Sequence, residues 1–180
     1  TLPVRIETIE IKHDVALLRL ALPKAPSFAF YAGQYIDLLL PGNISRSYSI
    51  ANSPDQEGVL ELHIRKRENG VCSEMIFGAE PKIKEKGIVR VKGPLGTFTL
   101  QEDSSKPIIL LATGTGYAPI RSILLDLIHQ NSERQVHFYW GARRQEDLYA
   151  LEEAEALIGR LKNAKFSPVL SKPDSDWKGE

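Results

Sequence analysis

Up to about residue 100 the chain alternates apolar and polar positions with a period of two. Val4-Arg5-Ile6-Glu7 alternates, as does Asp14-Val15-Ala16-Leu17-Leu18-Arg19-Leu20 more loosely. Leu60-Glu61-Leu62-His63-Ile64-Arg65 alternates cleanly, with both leucines and the isoleucine on one face, and Ile88-Val89-Arg90-Val91-Lys92 follows the same pattern. Such alternation marks strands with one buried face, because successive side chains point to opposite sides of a sheet. Leu22-Pro23, Pro41-Gly42-Asn43 and Ser53-Pro54-Asp55 supply turn residues between the runs. Many short strands with turns between them predict an antiparallel barrel or sandwich.

After Lys106-Pro107 the pattern changes. Ile108-Ile109-Leu110-Leu111-Ala112 is a continuous apolar run, as expected of a parallel strand covered on both faces. Beyond Gly114 and Gly116, Ile120, Ile123, Leu124, Leu127 and Ile128 recur at helical spacing. Gln135 to Trp140 reads as a second strand, Leu148 to Leu161 as an amphipathic helix, and Lys165 to Leu170 as a third strand. This alternation predicts a parallel α/β domain. The polar run Gln101 to Lys106 is the expected linker between a barrel domain over residues 1–100 and an α/β domain over residues 106–180.

Composition narrows the partners. The 180 residues suffice for two small domains, each with its own core. Lys+Arg and Asp+Glu both number 23, so neither nucleic acid nor a membrane surface is expected as a partner. Cys72 is the only cysteine, which excludes an internal disulfide and a multi-cysteine metal site and points to a reducing, cytoplasmic compartment. No apolar run approaches the ~20 residues of a membrane span, and no signal peptide is visible. The chain starts at Thr1 without a methionine and ends at Glu180 within an unfinished pattern, so it reads as a fragment whose α/β domain is truncated at its C-terminus.

Two segments carry candidate chemistry. Thr113-Gly114-Thr115-Gly116-Tyr117-Ala118-Pro119 lies between a predicted buried strand and a helix, where small residues let backbone N–H groups approach an anion. A pyrophosphate is its natural occupant; a plain tight turn is the alternative. The common dinucleotide fold places an acid at the end of its second strand. Here that strand runs into Trp140-Gly141-Ala142-Arg143 with no acid before Glu146, and Pro119 stands where the third glycine would be. The turn is therefore of another nucleotide-binding kind. The second segment, Arg46-Ser47-Tyr48-Ser49, combines a phosphate-clamping guanidinium, a flat ring able to stack on a heterocycle, and small hydroxyls. Taken singly, each has an ordinary structural explanation.

Taken together, Arg46-x-Tyr48-Ser49, Gly70-Val71-Cys72-Ser73 and Gly114-Thr115-Gly116 resemble the ferredoxin–NAD(P)⁺ reductase superfamily in order and wording. The resemblance extends through Gly33-Gln34-Tyr35, Gly93-Pro94-Leu95-Gly96-Thr97-Phe98 and Tyr139-Trp140-Gly141-Ala142-Arg143, covering essentially the whole chain. Within the superfamily it looks closest to the CDP-6-deoxy-3,4-glucoseen reductases, with NAD(P)H–flavin reductases and oxygenase reductases as neighbours. The resemblance implies a six-stranded Greek-key barrel that binds FAD, followed by the nucleotide-binding α/β domain. It implies that Arg46 contacts the flavin pyrophosphate, with Ser47 beside it, that Tyr48 stacks on the isoalloxazine, and that Ser49 hydrogen-bonds near N5, so Tyr48 and Ser49 lie at the reacting atoms. His63, Ile64 and Arg65 would line other parts of the flavin. Gly70, Val71, Cys72 and Ser73 would hold its phosphates, and that second phosphate site favours tightly held FAD. Thr113, Gly114, Thr115, Gly116, Ala118, Pro119, Gly141 and Arg143 would serve the nicotinamide dinucleotide. Cys72 itself reads as structural, because the superfamily's functional cysteine lies in a Cys-Gly-Pro stretch that this chain does not contain.

The stretch Leu170-Ser171-Lys172-Pro173-Asp174-Ser175-Asp176-Trp177 stands where NADP⁺-preferring members carry a serine–arginine and a basic–aromatic pair. Lys172 would attract a 2′-phosphate while Asp174 and Asp176 would repel one, which favours NADH and leaves NADPH possible. The expected reaction is hydride transfer from the nicotinamide to FAD, then single-electron transfer to an acceptor protein or iron–sulfur domain. A plant-type [2Fe–2S] centre needs four cysteines and would lie before Thr1. The alternatives are a reductase using flavin as a diffusible substrate and a non-catalytic electron-relay module.

Overall fold

A computed structural model describes residues 1–101 and 104–179; Glu102 and Asp103, in the expected linker, and Glu180 lie outside the described residues. Strands β1 (Leu2–Lys12), β2 (Val15–Ala21), β3 (Tyr35–Leu40), β4 (Ile44–Ser49), β5 (Val59–Arg65) and β6 (Ile88–Leu95) form one antiparallel sheet. Their spatial order is β4-β3-β6-β1-β2-β5, and a bridge between Ile50 and Leu62 ties the two edges, so the sheet closes into a Greek-key barrel. Closure removes the unpaired edges of an open sheet. Alternate side chains point inward as the period of two requires: Val4, Ile6, Leu18, Leu20, Ile36, Leu38, Leu60, Leu62, Ile64 and Val91 are all buried. A short helix, α1 (Val71–Phe77), lies in the connection from β5 to β6; it opens at Val71, two residues earlier than the amphipathic run from Ser73.

Strands β7 (Ile108–Thr113), β8 (Val136–Ala142) and β9 (Ala164–Leu170) form a parallel sheet in that order, connected by α2 (Tyr117–His129) and α3 (Leu151–Gly159). Both helices pack on one side, where Ile108, Leu110, Val136, Phe138 and Trp140 meet Ile120, Ile123, Leu124, Ala154 and Ile158. Among the described residues the first of these strands is covered on one face and not on both. Ile109 and Leu111 are 69% and 71% exposed, because α2 and α3 both lie on the face of their neighbours Ile108 and Leu110. A continuous apolar run does not say which of its faces is covered.

The two sheets are joined through a mixed interface. Val15 and Ala32 from the barrel belong to the core of the α/β layer. Ser122 Oγ donates to the Asn52 carbonyl at 2.7 Å, and Arg121 Nη1 to the Ala51 carbonyl at 2.9 Å, so α2 is pinned to the chain just after β4. This docking brings the end of β5 against the turn that follows β7.

Candidate functional site

The segment from Ile44 to Ser49 is a strand because each of its residues pairs with β3, Ile36 facing Tyr48 and Leu38 facing Arg46. That register leaves Arg46 exposed at the rim of a cavity of about 360 Å³. Arg46, Ser47, Tyr48, His63, Arg65, Arg67, Gly70, Val71, Cys72, Ser73 and Thr115 line it. Ser47 Oγ donates to Asp37 at 2.6 Å, which fixes the strand edge beside Arg46. Tyr48 is half-buried; burial, followed by its bond to the Cys72 thiol, pushes its hydroxyl well above the ordinary tyrosine range. The ring is therefore neutral, a stacking and hydrogen-bonding group with no acid–base role at neutral pH.

Cys72 is buried, and burial raises its thiol; the Tyr48 bond and the Arg46 charge oppose that without overcoming it. It is no activated nucleophile, because only a thiolate would be. Gly70 starts α1 in a tight turn: a Cβ there would lie 3.1 Å from Ser73 Oγ and 3.2 Å from the Arg67 carbonyl. Ser73 Oγ accepts from Arg67 N–H at 2.8 Å and so holds the turn closed. Two residues named from the sequence do not line this cavity. Ile64 points into the barrel core, and Ser49 sits opposite Tyr35 in the β3–β4 ladder.

A second cleft, of about 750 Å³, opens at the C-terminal ends of β7, β8 and β9, the edge where open α/β sheets bind ligands. Thr113, Gly114, Gly141, Ala142, Arg143, Arg144, Glu146, Asp147, Val169, Ser171 and, from the barrel, Arg65 line it. Gly114 adopts φ +52°, a left-handed conformation that favours glycine, and its carbonyl accepts from Trp140 Nε1 at 3.0 Å. Trp140 stacks on Tyr117 at 4.3 Å between ring centres, which anchors both ends of the turn. Thr115 faces the first cavity instead, so one turn serves both. Gly116, Ala118 and Pro119 line neither cavity, and Ala118 is buried in the α2 packing face. Asp174 and Asp176 border other cavities, whereas Arg143, Arg144 and Ser171 face this cleft. The acids that line this cleft are thus Glu146 and Asp147 and not the two aspartates named from the sequence.

Behind the first cavity, a largely buried polar network joins the barrel to the α/β layer. His63 Nδ1 is 2.7 Å from the Tyr149 hydroxyl and Nε2 is 3.0 Å from the Glu61 carboxylate. Arg121 sits 3.4 Å from Glu61 and donates Nε–H to Glu153 at 2.6 Å, and the Tyr117 hydroxyl donates to the same Glu153 oxygen at 2.7 Å. Burial holds His63 below its ordinary pKa, against the opposing pull of Glu61. Burial alone would raise Glu61, but its bond to His63 and the Arg121 charge hold it below the usual carboxylate range. Sequence reasoning missed this network, and it missed Arg67, Ala142, Arg144, Asp147, Val169 and Ser171. Arg144 was findable as the residue after Arg143; the network was not, since its bonded partners stand up to 86 residues apart.

The lining chemistry fits two nucleotide cofactors. Arginines beside a stackable ring and a glycine turn match a flavin nucleotide in the first cavity. A glycine turn at a strand end, flanked by arginines, matches a dinucleotide pyrophosphate in the second. Among the described residues no group of three or more His, Cys, Asp or Glu could hold a metal ion, and no helix is long and apolar enough to cross a membrane.

Two known families match the chain in succession. Residues 4–100 match the oxidoreductase FAD-binding domain family and residues 110–180 the oxidoreductase NAD-binding domain family. The chain is 44% identical over 180 residues to the CDP-6-deoxy-L-threo-D-glycero-4-hexulose-3-dehydrase reductase of Yersinia pestis, covering 99% of this chain and 53% of that protein. It is 36% identical to an NAD(P)H-flavin reductase of Vibrio harveyi, covering 88% of this chain and 67% of the relative. Among solved structures, the cytochrome P450 reductase GcoB of Amycolatopsis superposes with a TM-score of 0.85 at 34% identity, over 97% of this chain and 53% of that one. The chain spans about half the length of the Yersinia and Amycolatopsis proteins. It belongs to the ferredoxin reductase-like family of FAD- and NAD-binding oxidoreductases.

Proposed function

We propose that residues 1–100 hold FAD, that residues 106–180 bind NADH or NADPH, and that the protein passes electrons to an acceptor carried outside these 180 residues. The observation that carries this reading is the adjacency of the two cavities, which share Arg65 and the turn after β7. A flavin supplies the hydride acceptor and the capacity to release electrons one at a time. The chain's own groups position and neutralise. Arg46 and Arg67 offset phosphate charge, Gly70 to Ser73 present backbone donors, and the neutral Tyr48 ring stacks on the heterocycle with Ser49 beside it. Thr113, Gly114, Gly141, Arg143 and Arg144 take the dinucleotide. The likeness to the Yersinia reductase supports service in a deoxysugar-forming system; a cytoplasmic setting and an iron–sulfur centre as acceptor complete the reading. With one cysteine in the chain, that centre's ligands come from elsewhere.

Purified protein loaded with FAD and mixed anaerobically with NADH in a stopped-flow instrument tests the proposal. Bleaching of the flavin absorbance is the expected result. Folded protein that takes up no flavin sinks the reading, and bound flavin that NADH does not bleach would make this a relay module. The likeness to the Vibrio flavin reductase favours a second reading, in which flavin is a passing substrate. FAD that stays with the protein through gel filtration excludes that version.

A further inference from the structure

Arg65, the last residue of β5, is the one barrel residue among the described residues that lines both cavities. Its Nη1 lies 3.4 Å from Asp14 Oδ2 and 3.8 Å from Asp147 Oδ1, and Nη2 donates to the Asp147 carbonyl at 3.3 Å. These contacts are long for a guanidinium, whose charge-assisted bonds run at ~2.7–2.9 Å. Two atoms of the cluster, Arg65 Nε and Asp14 Oδ1, are buried without a hydrogen-bond partner. Buried polar atoms are almost always paired, so this arrangement leaves part of the guanidinium's bonding capacity unused. Arg121, at the same interface, is the contrast: its Nε bonds Glu153 at 2.6 Å and its Nη1 the Ala51 carbonyl at 2.9 Å.

The position of Arg65 shows where a better acceptor would come from. Its Cζ and Nη2 lie 3.9 Å from the point a Cβ would occupy on Gly114, so the guanidinium borders the glycine turn. Asp147 cannot follow it freely, since its other carboxylate oxygen accepts the Arg144 N–H at 3.2 Å.

We propose that Arg65 is a transferable cation, held loosely by Asp14 and Asp147 until the pyrophosphate of a dinucleotide in the cleft takes it, with Asp147 as the competing anion. The proposal rests on the dinucleotide reading above. A pyrophosphate carries more charge than one carboxylate and presents oxygens spaced for a guanidinium fork, so it outcompetes the long Asp147 contacts. Asp147 weakens binding twice, by holding the cation and by repelling the phosphates. Because Arg65 also borders the flavin cavity, its transfer changes the electrostatic potential on both sides, and the occupancies of the two cavities become reciprocally coupled.

Calorimetric titration of FAD-loaded protein with NAD⁺, which binds without reducing the flavin, tests this. Arg65→Met is expected to weaken NAD⁺ binding by about tenfold or more, Arg65→Lys by less, because it keeps the charge but loses the fork. Asp147→Asn, which keeps an acceptor for Arg144, is expected to tighten it about three- to tenfold. Flavin absorbance and circular dichroism report whether each variant is folded, and Asp147→Asn still decides the matter if Arg65→Met does not fold. Equal NAD⁺ affinity in wild type and folded Arg65→Met overturns the proposal, as does unchanged or weaker binding by folded Asp147→Asn. Wild-type protein that binds no NAD⁺ overturns the dinucleotide reading itself, and this proposal with it.

Discussion

The Tyr149 hydroxyl donates to Nδ1 of His63 at 2.7 Å, joining the barrel's fifth strand to the segment that enters α3. The direction of that bond follows from the other side of the ring. Nε2 faces the Glu61 carboxylate, which can only accept, so Nε2 carries the proton and Nδ1 is left to receive one. Both ring nitrogens of a buried histidine are thereby satisfied in its neutral form. The same histidine lines the first cavity, so the contact that docks the two halves also shapes the proposed flavin site.

Tyr149→Phe keeps the ring packing and removes only the donor. Nδ1 of His63 then stays buried without a partner, and the expected cost is about 1–3 kcal/mol. A urea midpoint shifted down with an unchanged slope would show it; an unchanged midpoint would mean that water replaces the hydroxyl.

Arg121→Met should cost more, about 3 kcal/mol, because it removes the charge partner of the Glu61 and Glu153 carboxylates and the donor to the Ala51 carbonyl at once. Thermal and chemical unfolding measure the loss. A second unfolding transition in this variant would show that the barrel and the α/β layer come apart.

Stability should fall as the solution is acidified below about pH 6.5. His63 has a depressed pKa when folded, because burial outweighs the pull of Glu61, so the unfolded chain binds protons first. Its contribution is complete above the unfolded value near 6.5 and is lost as pH drops through the window beneath. Glu61, also depressed, extends the loss below about 4.5. Tm measured from pH 8 to pH 4.5 checks this, and His63→Gln should flatten the upper part of the curve. A Tm that does not change between pH 7.5 and 5.5 in wild type would contradict the argument.

Gly114→Ala places a methyl group in the second cleft at a residue held at φ +52°. The strain is about 1 kcal/mol, but the added group also stands where the proposed phosphate would lie. The expected outcome is intact FAD content with NAD⁺ affinity reduced about tenfold or more, read by flavin absorbance and titration. Loss of flavin with retained NAD⁺ binding would place the turn on the wrong cofactor.

Most of the architecture was legible along the chain, because periods of two and of 3.6 are local consequences of strand and helix geometry. Leu60, Leu62 and Ile64 point inward as their alternation required, and α2 buries Ile120, Ile123, Leu124 and Leu127. The motif order also carried the family, since Arg46-x-Tyr48-Ser49 and Gly114-Thr115-Gly116 are short, contiguous and held by backbone geometry. Element ends were less legible: α3 begins at Leu151, three residues later than its pattern, because Leu148, Tyr149 and Ala150 are buried in an approach segment and not in the helix.

What folding alone decided is whatever depends on faces and on distant partners. The run from Ile108 to Ala112 is equally apolar on both faces, and among the described residues α2 and α3 cover the face of Ile108 and Leu110 and not that of Ile109 and Leu111. Asp174 and Asp176 sit four and six residues beyond β9, yet neither lines the cleft that Arg143 and Arg144 line. The alternation of β5 marks His63 and Arg65 as outward-facing, but not that His63 becomes buried against Tyr149 or that Arg65 reaches two cavities. Periodicity records which side of its own element a residue faces. What then covers that side is set by tertiary packing, over distances that no local pattern encodes.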